Sequence, residues 1–115
     1  MQQKSLNSPD EVRTFDNGKL ELVTINGVTF GRAVLRPGWK WSESIKPLVK
    51  TKSCEAPHTQ YIISGKLKIV MDNGQETVLD AGDAAVIPPG HDAWVVGNET
   101  VTLIDVTGMS NYAKR

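Results

Sequence analysis

The chain holds one cysteine and two histidines, and all three are capable metal ligands. Cys54 and His58 stand four apart in "CEAPH", and His91 follows the "PPG" corner at 88–90. A thiolate with two imidazoles is a soft-to-borderline set suited to zinc, copper, nickel or ferrous iron. Three protein ligands leave one position open to water or substrate, which would mean catalysis or sensing. An even separation in extended chain keeps side chains on one face, so Cys54 and His58 point the same way wherever their segment is regular; Pro57 favours a kink between them. The structural alternative makes Cys54 a small buried apolar group, His58 a hydrogen-bonded residue at a strand start and His91 a polar residue at a rim. A further reading pairs Cys54 with His58 as nucleophile and base. That dyad needs hydrogen-bond reach and a lowered thiol pKa, and no helix N-terminus stands nearby to help.

Other residues could complete a site. Trp39 and Trp41 alternate in "GWKWSE", so on a strand they share a face with Glu43. Rings of this kind line apolar pockets, which makes Trp39, Trp41 and Gln60 the candidate ligand-pocket residues. Glu43 is the candidate general acid or base, its ordinary alternative being a solvated strand residue. Trp94 lies three beyond His91, so it has the opposite parity and is expected on the other sheet surface or against a neighbouring subunit. Asp105 interrupts an apolar stripe with Val101 and Leu103. Burying its charge unpaired is unfavourable, so it calls for a basic partner such as Arg32 or Arg36, or for water at a strand end.

The elements that must position these groups are mostly strands. "SPDE" at 8–11 reads as a short N-terminal helical turn, with Ser8 as cap, Pro9 in the first turn and Glu11 closing a capping box. From "KLELVTI" at 19–25 onward, short runs rich in β-branched residues follow one another: "VTFGRAVL", "KLKIVMD", "ETVLDA", "DAAVIP", "AWVVG" and "TVTLIDV". Turn signals separate them, among them "NG" at 26–27, "SG" at 64–65, "DNG" at 72–74 and "PPG" at 88–90. Leu67, Ile69 and Met71 share one strand face while Lys66 and Lys68 share the other. This spacing predicts an all-β antiparallel sandwich or barrel.

The run "CEAPHTQYIISGKLKIVMDNG", followed by "AGDAAVIPPGHDAWVVGN", resembles the two consecutive motifs of the cupin superfamily, over roughly residues 30–107. Gly65 closes the first motif, and Gly82, Pro88 and Gly90 match the second. The resemblance implies a double-stranded antiparallel β-barrel of the jelly-roll type. It suggests a single cupin domain over 1–115, with the barrel at roughly 18–108, an N-terminal extension at 1–17 and a C-terminal tail at 109–115. The usual ligand set of three histidines and a glutamate is replaced: the glutamate slot holds His58, one histidine slot Cys54, another Lys52, and the last Ala93, two after His91. Ligand-type residues thus fall in or beside the slots, so the resemblance implies that Cys54, His58 and His91 converge inside the barrel. Members commonly dimerise through sheet edges, so a homodimer using strands 19–35 is expected.

Charge and composition exclude other classes. Thirteen basic residues balance 13 acidic ones with no block of one sign, which argues against nucleic acid or a membrane surface as partner. "MQQKSLNSPDEV" has no apolar signal core, and the lone cysteine suits a reducing compartment, so cytoplasm is the expectation. The short basic tail "YAKR" reads as a solvated end. Two functions stay open. One is a divalent transition-metal protein acting on or sensing a small organic molecule; the other is a metal-free, non-catalytic module that binds a small ligand.

Overall fold

A computed structural model describes residues 1–110 and 112–114. Among the described residues nine strands form the barrel: β1 (Glu11–Phe15), β2 (Gly18–Ile25), β3 (Val28–Leu35), β4 (His58–Ser64), β5 (Lys66–Met71), β6 (Glu76–Asp80), β7 (Ala84–Ile87), β8 (His91–Val95) and β9 (Val101–Asp105). Two single-turn helices, α1 (Trp41–Ser44) and α2 (Lys46–Val49), lie between β3 and β4. The strands make a six-stranded sheet in the order β1-β2-β3-β9-β4-β7 and a three-stranded sheet in the order β6-β5-β8. Every pairing is antiparallel.

Period-2 patterning decides what fills the space between the sheets. Leu20 and Leu22 of β2, Ala33 and Leu35 of β3, Leu67 and Ile69 of β5 and Val101 and Leu103 of β9 are buried, while the residues between them face outward. Lys66 and Lys68 take the outer face of β5, where they pair with Asp80 and Glu76 of β6. The expectation of an all-β antiparallel barrel holds. Two local expectations do not. Residues 11–15 form a strand, and Ser8 caps nothing there: Asp10 takes its backbone N–H to Leu22 O and accepts from Thr24 N, so the segment joins β2 as a hairpin. Five ladder pairs outweigh one turn of helix with its cap. That strand also covers β2, and β3 lies between β2 and β9, so strands 19–35 offer no free edge for pairing with another copy. Among the described residues the sheet edges are β1, β7, β6 and β8.

After β9 the chain folds back instead of trailing into solvent. Met109 and Ala113 are buried, and Arg13 of β1 donates to the carbonyls of Met109 (3.2 Å), Ser110 (2.8 Å) and Tyr112 (2.8 Å). Gly108, with φ +75°, lets the strap begin where a Cβ would overlap the Pro57 carbonyl oxygen. Gly108→Ala combines a left-handed conformation with a main-chain clash, so it is expected to destabilise by about 3 kcal/mol or more in denaturant titration. An effect below about 0.5 kcal/mol would show the strap to be loosely held.

Candidate metal and ligand site

The site is assembled by two strand pairings and one loop. Cys54 precedes β4 and forms an isolated bridge with His91, the first residue of β8. Cys54 N–H donates to His91 O at 2.8 Å and Gly90 N–H donates to Cys54 O at 2.7 Å. Directly opposed residues of an antiparallel pair share a face, so sulfur and imidazole are set side by side. His58 opens β4 with its side chain inward, followed on the same face by Gln60 and Ile62. The ligand atoms of Cys54, His58 and His91 lie within 4.8 Å of one another, and all three residues are buried.

Hydrogen bonds fix the direction of both rings. His58 Nδ1 lies 2.6 Å from Asp105 Oδ2, and His91 Nδ1 lies 3.0 Å from the Pro88 carbonyl oxygen. Both partners are acceptors, so each Nδ1 carries the proton and each Nε2 of a neutral ring presents its lone pair. The Cys54 thiol faces His58 Nε2 at 3.7 Å. Asp105 is 0% exposed; besides His58 it accepts from Gln60 Nε2 (3.3 Å), Thr59 N (3.4 Å) and Thr107 N (2.8 Å). Its partner is therefore His58, not an arginine: Arg32 points outward to Glu21 and to the N-terminal segment. Burial holds the His91 imidazole below its ordinary range, against the opposing pull of the Pro88 carbonyl.

The thiol is the wrong group for a nucleophile. Burial pushes Cys54 up to about 11, and the acidic groups Glu55, Asp92 and Asp105 push the same way. At pH 7 the metal-free thiolate is then about one part in ten thousand. Alkylation of metal-free protein is expected to be slow at neutral pH and to rise about tenfold per pH unit toward pH 11. Arg13→Met, which frees three carbonyls of the strap, should accelerate it at every pH by opening the route to sulfur. Fast stoichiometric alkylation at pH 7 in the unaltered protein would restore the dyad.

Inside the barrel a cavity of about 30 Å³ is lined by Trp39, Trp41, His58, Gln60 and His91, with Met109 and Tyr112 of the strap among its other walls. The tyrosine ring meets His58 edge-on, centroids 5.5 Å apart. Tyr112 as a whole is half-buried, and burial pushes its phenol well above the ordinary range. A second, apolar pocket of about 170 Å³ lies across Trp41 and Tyr112, against Cys54, Ile45 and Val49. Trp39 and Trp41 reach the interior without sharing a strand face, because the chain turns into α1 at Trp41. The same turn carries Glu43 to the exposed face of the helix, and it does not line the cavity. Trp94 faces outward on β8, with Lys40 Nζ 4.8 Å and Lys68 Nζ 5.7 Å from its ring. Lys52 is exposed and takes no part.

Fold and motif together define a cupin. The chain belongs to the EutQ-like cupin domain family, whose profile matches residues 47–105, just over half of its length. No curated protein matches it. Among solved structures, the polyketide cyclase RemF from Streptomyces resistomycificus superposes with a TM-score of 0.64 at 16% identity, covering 93% of this chain and 78% of that one. A conserved protein with a double-stranded beta-helix domain from Klebsiella pneumoniae superposes at 0.62 with 21% identity, over 96% of this chain and 86% of that one. The Clostridium difficile EutQ protein superposes at 0.57 with 17% identity, over 84% of this chain and 65% of that one. At such identities the likeness is one of fold.

Proposed function

We propose that this EutQ-like cupin binds one divalent transition metal through Cys54, His58 and His91, and acts on or senses a small organic molecule at the barrel interior. The observation carrying this reading is the convergence of three ligand atoms within 4.8 Å while both imidazole Nδ1 protons are held by acceptors. A tetrahedral site with metal–sulfur and metal–nitrogen distances of about 2.3 and 2.0–2.1 Å needs ligand atoms about 3.3–3.6 Å apart. The Cys54–His58 separation of 3.7 Å meets that, and the widest separation of 4.8 Å closes by a movement of about 1 Å. A carboxylate behind a ligand histidine raises its basicity and fixes its tautomer, which is the duty assigned to Asp105. When bound, such an ion supplies a Lewis acid with one position open to an oxygen ligand. Asp105 and the Pro88 carbonyl orient the rings, the strap residues Met109 and Tyr112 keep bulk water out, and Trp39, Trp41 and Gln60 wall the space beside the ligands.

Metal analysis of freshly purified protein tests this. About one equivalent of zinc, iron, nickel or copper is expected, and adding that metal to stripped protein at 100 times its Kd should raise Tm by about 10 °C. Metal-free protein whose Tm is unchanged by all four ions would overturn it and favour the non-catalytic module. Residence in the reducing cytoplasm and assembly as a homodimer belong to the same proposal. With β2 and β3 internal, pairing would use the β1 or β7 edge, or the outer face where Tyr61, Ile63 and Val86 are exposed. A monomeric mass in light scattering removes the dimer. Among the described residues no helix is long and apolar enough to cross a membrane.

A further inference from the structure

We propose that the barrel interior recognises a single neutral hydroxyl group, which accepts from the Trp39 indole N–H and donates to the Gln60 carboxamide oxygen. Trp39 Nε1 and Gln60 Oε1 are buried polar atoms without a hydrogen-bond partner, on residues only 3% and 6% exposed. Both residues line the same cavity of about 30 Å³. Buried polar groups left unpaired are strongly disfavoured, so these two are completed by whatever occupies the space they line.

The chemistry of the occupant follows from the pair. Gln60 donates through Nε2 to Asp105 Oδ2, and turning the amide over would set its oxygen against that carboxylate, so Oε1 is the free atom. The two unpaired atoms therefore offer one donor and one acceptor. A ketone or carboxylate oxygen accepts from Trp39 but gives Gln60 nothing, and an ammonium group serves Gln60 while facing the indole N–H unmatched. A hydroxyl, donor and acceptor at once, satisfies both. Apart from the two imidazoles and the rings of Trp41 and Tyr112, the rest of the lining is apolar, with Leu35, Leu67, Ile69 and Leu103 among it, which suits the carbon of an alcohol. The volume holds about two water-sized groups, limiting the occupant to a one- or two-carbon alcohol while the strap is closed. Neither atom is a ligand of the proposed ion, so this recognition stands without metal.

The test uses 15N-labelled, chelator-treated protein and follows its indole N–H resonances, Trp39 being assigned through Trp39→Phe. Titration with methanol and ethanol is expected to shift the Trp39 resonance saturably, with half-saturation on the order of millimolar. Acetone, acetate and methylammonium should leave it at least tenfold less responsive. Gln60→Met should weaken the alcohol response tenfold or more; should that variant not fold, the selectivity series on the unaltered protein decides alone. A linear, non-saturating response, or an equal response to acetone, overturns the proposal. So does a long-lived water at the Trp39 indole proton that neither alcohol displaces, since the hydroxyl is then structural water. Because no metal is present, these outcomes are independent of the metal reading.

Discussion

Asp105→Ala is expected to lower stability by about 3–5 kcal/mol, and Tm by roughly 15 °C, measured by denaturant and thermal unfolding. The size follows from what the carboxylate holds. It is fully buried and accepts from His58, Gln60, Thr59 and Thr107, which come from β4 and from the turn after β9. Removing it leaves the buried donors of His58 and Gln60 without a partner, each at a cost of about 1–3 kcal/mol, and frees the Thr59 and Thr107 backbone N–H groups as well, partly relieved by rearrangement. Asp105→Asn separates the structural duty from the proposed one. It keeps the shape and one acceptor oxygen, so the stability loss should be smaller, but it sets an amide N–H2 among donors and disturbs the His58 tautomer. Metal affinity should then fall about 10–100-fold. An Asp105→Asn protein with unaltered metal affinity would show that the carboxylate only supports the fold.

Cys54→Ser is expected to reduce metal affinity by at least about 100-fold while changing metal-free stability by less than about 1 kcal/mol. The serine hydroxyl keeps the size of the side chain and can still donate to His58 Nε2, but it does not ionise to a soft ligand. His58→Ala lacks that selectivity, because it strips Asp105 of its closest partner and should destabilise the protein with or without metal. The serine variant is therefore the cleaner probe, read by calorimetric titration beside unfolding curves.

Where the sequence was legible, the reason is periodicity. The alternation of Leu67 and Ile69 with Lys66 and Lys68, and the turn residues between runs, describe a half-wet antiparallel sheet, and that is what forms. Local signals misled where tertiary pairing competed with them. "SPDE" carries a helix opening, yet the ladder to β2 claims residues 11–15. "GWKWSE" alternates as a strand does, yet it turns into α1, so both tryptophans reach the interior while Glu43 does not. Cys54 sits beside His58 for a reason parity does not supply: it lies outside β4 and is placed by backbone pairing with His91. The Asp105–His58 contact spans 47 positions, beyond any local pattern, although the break in the Val101, Leu103, Asp105 stripe marked the aspartate as needing a partner. The strap had the weakest signal. Nothing in "YAKR" announces that Arg13, nearly a hundred residues earlier, donates to the Tyr112 carbonyl.

The most direct measurement is titration of metal-free protein with cobalt(II), followed by optical absorption. One equivalent should produce a thiolate-to-cobalt charge-transfer band together with the intense visible bands of four-coordinate cobalt, and the charge-transfer band should vanish in Cys54→Ser. Cobalt that binds without the thiolate band, or gives the same spectrum in the serine variant, would contradict a shared ion at Cys54, His58 and His91.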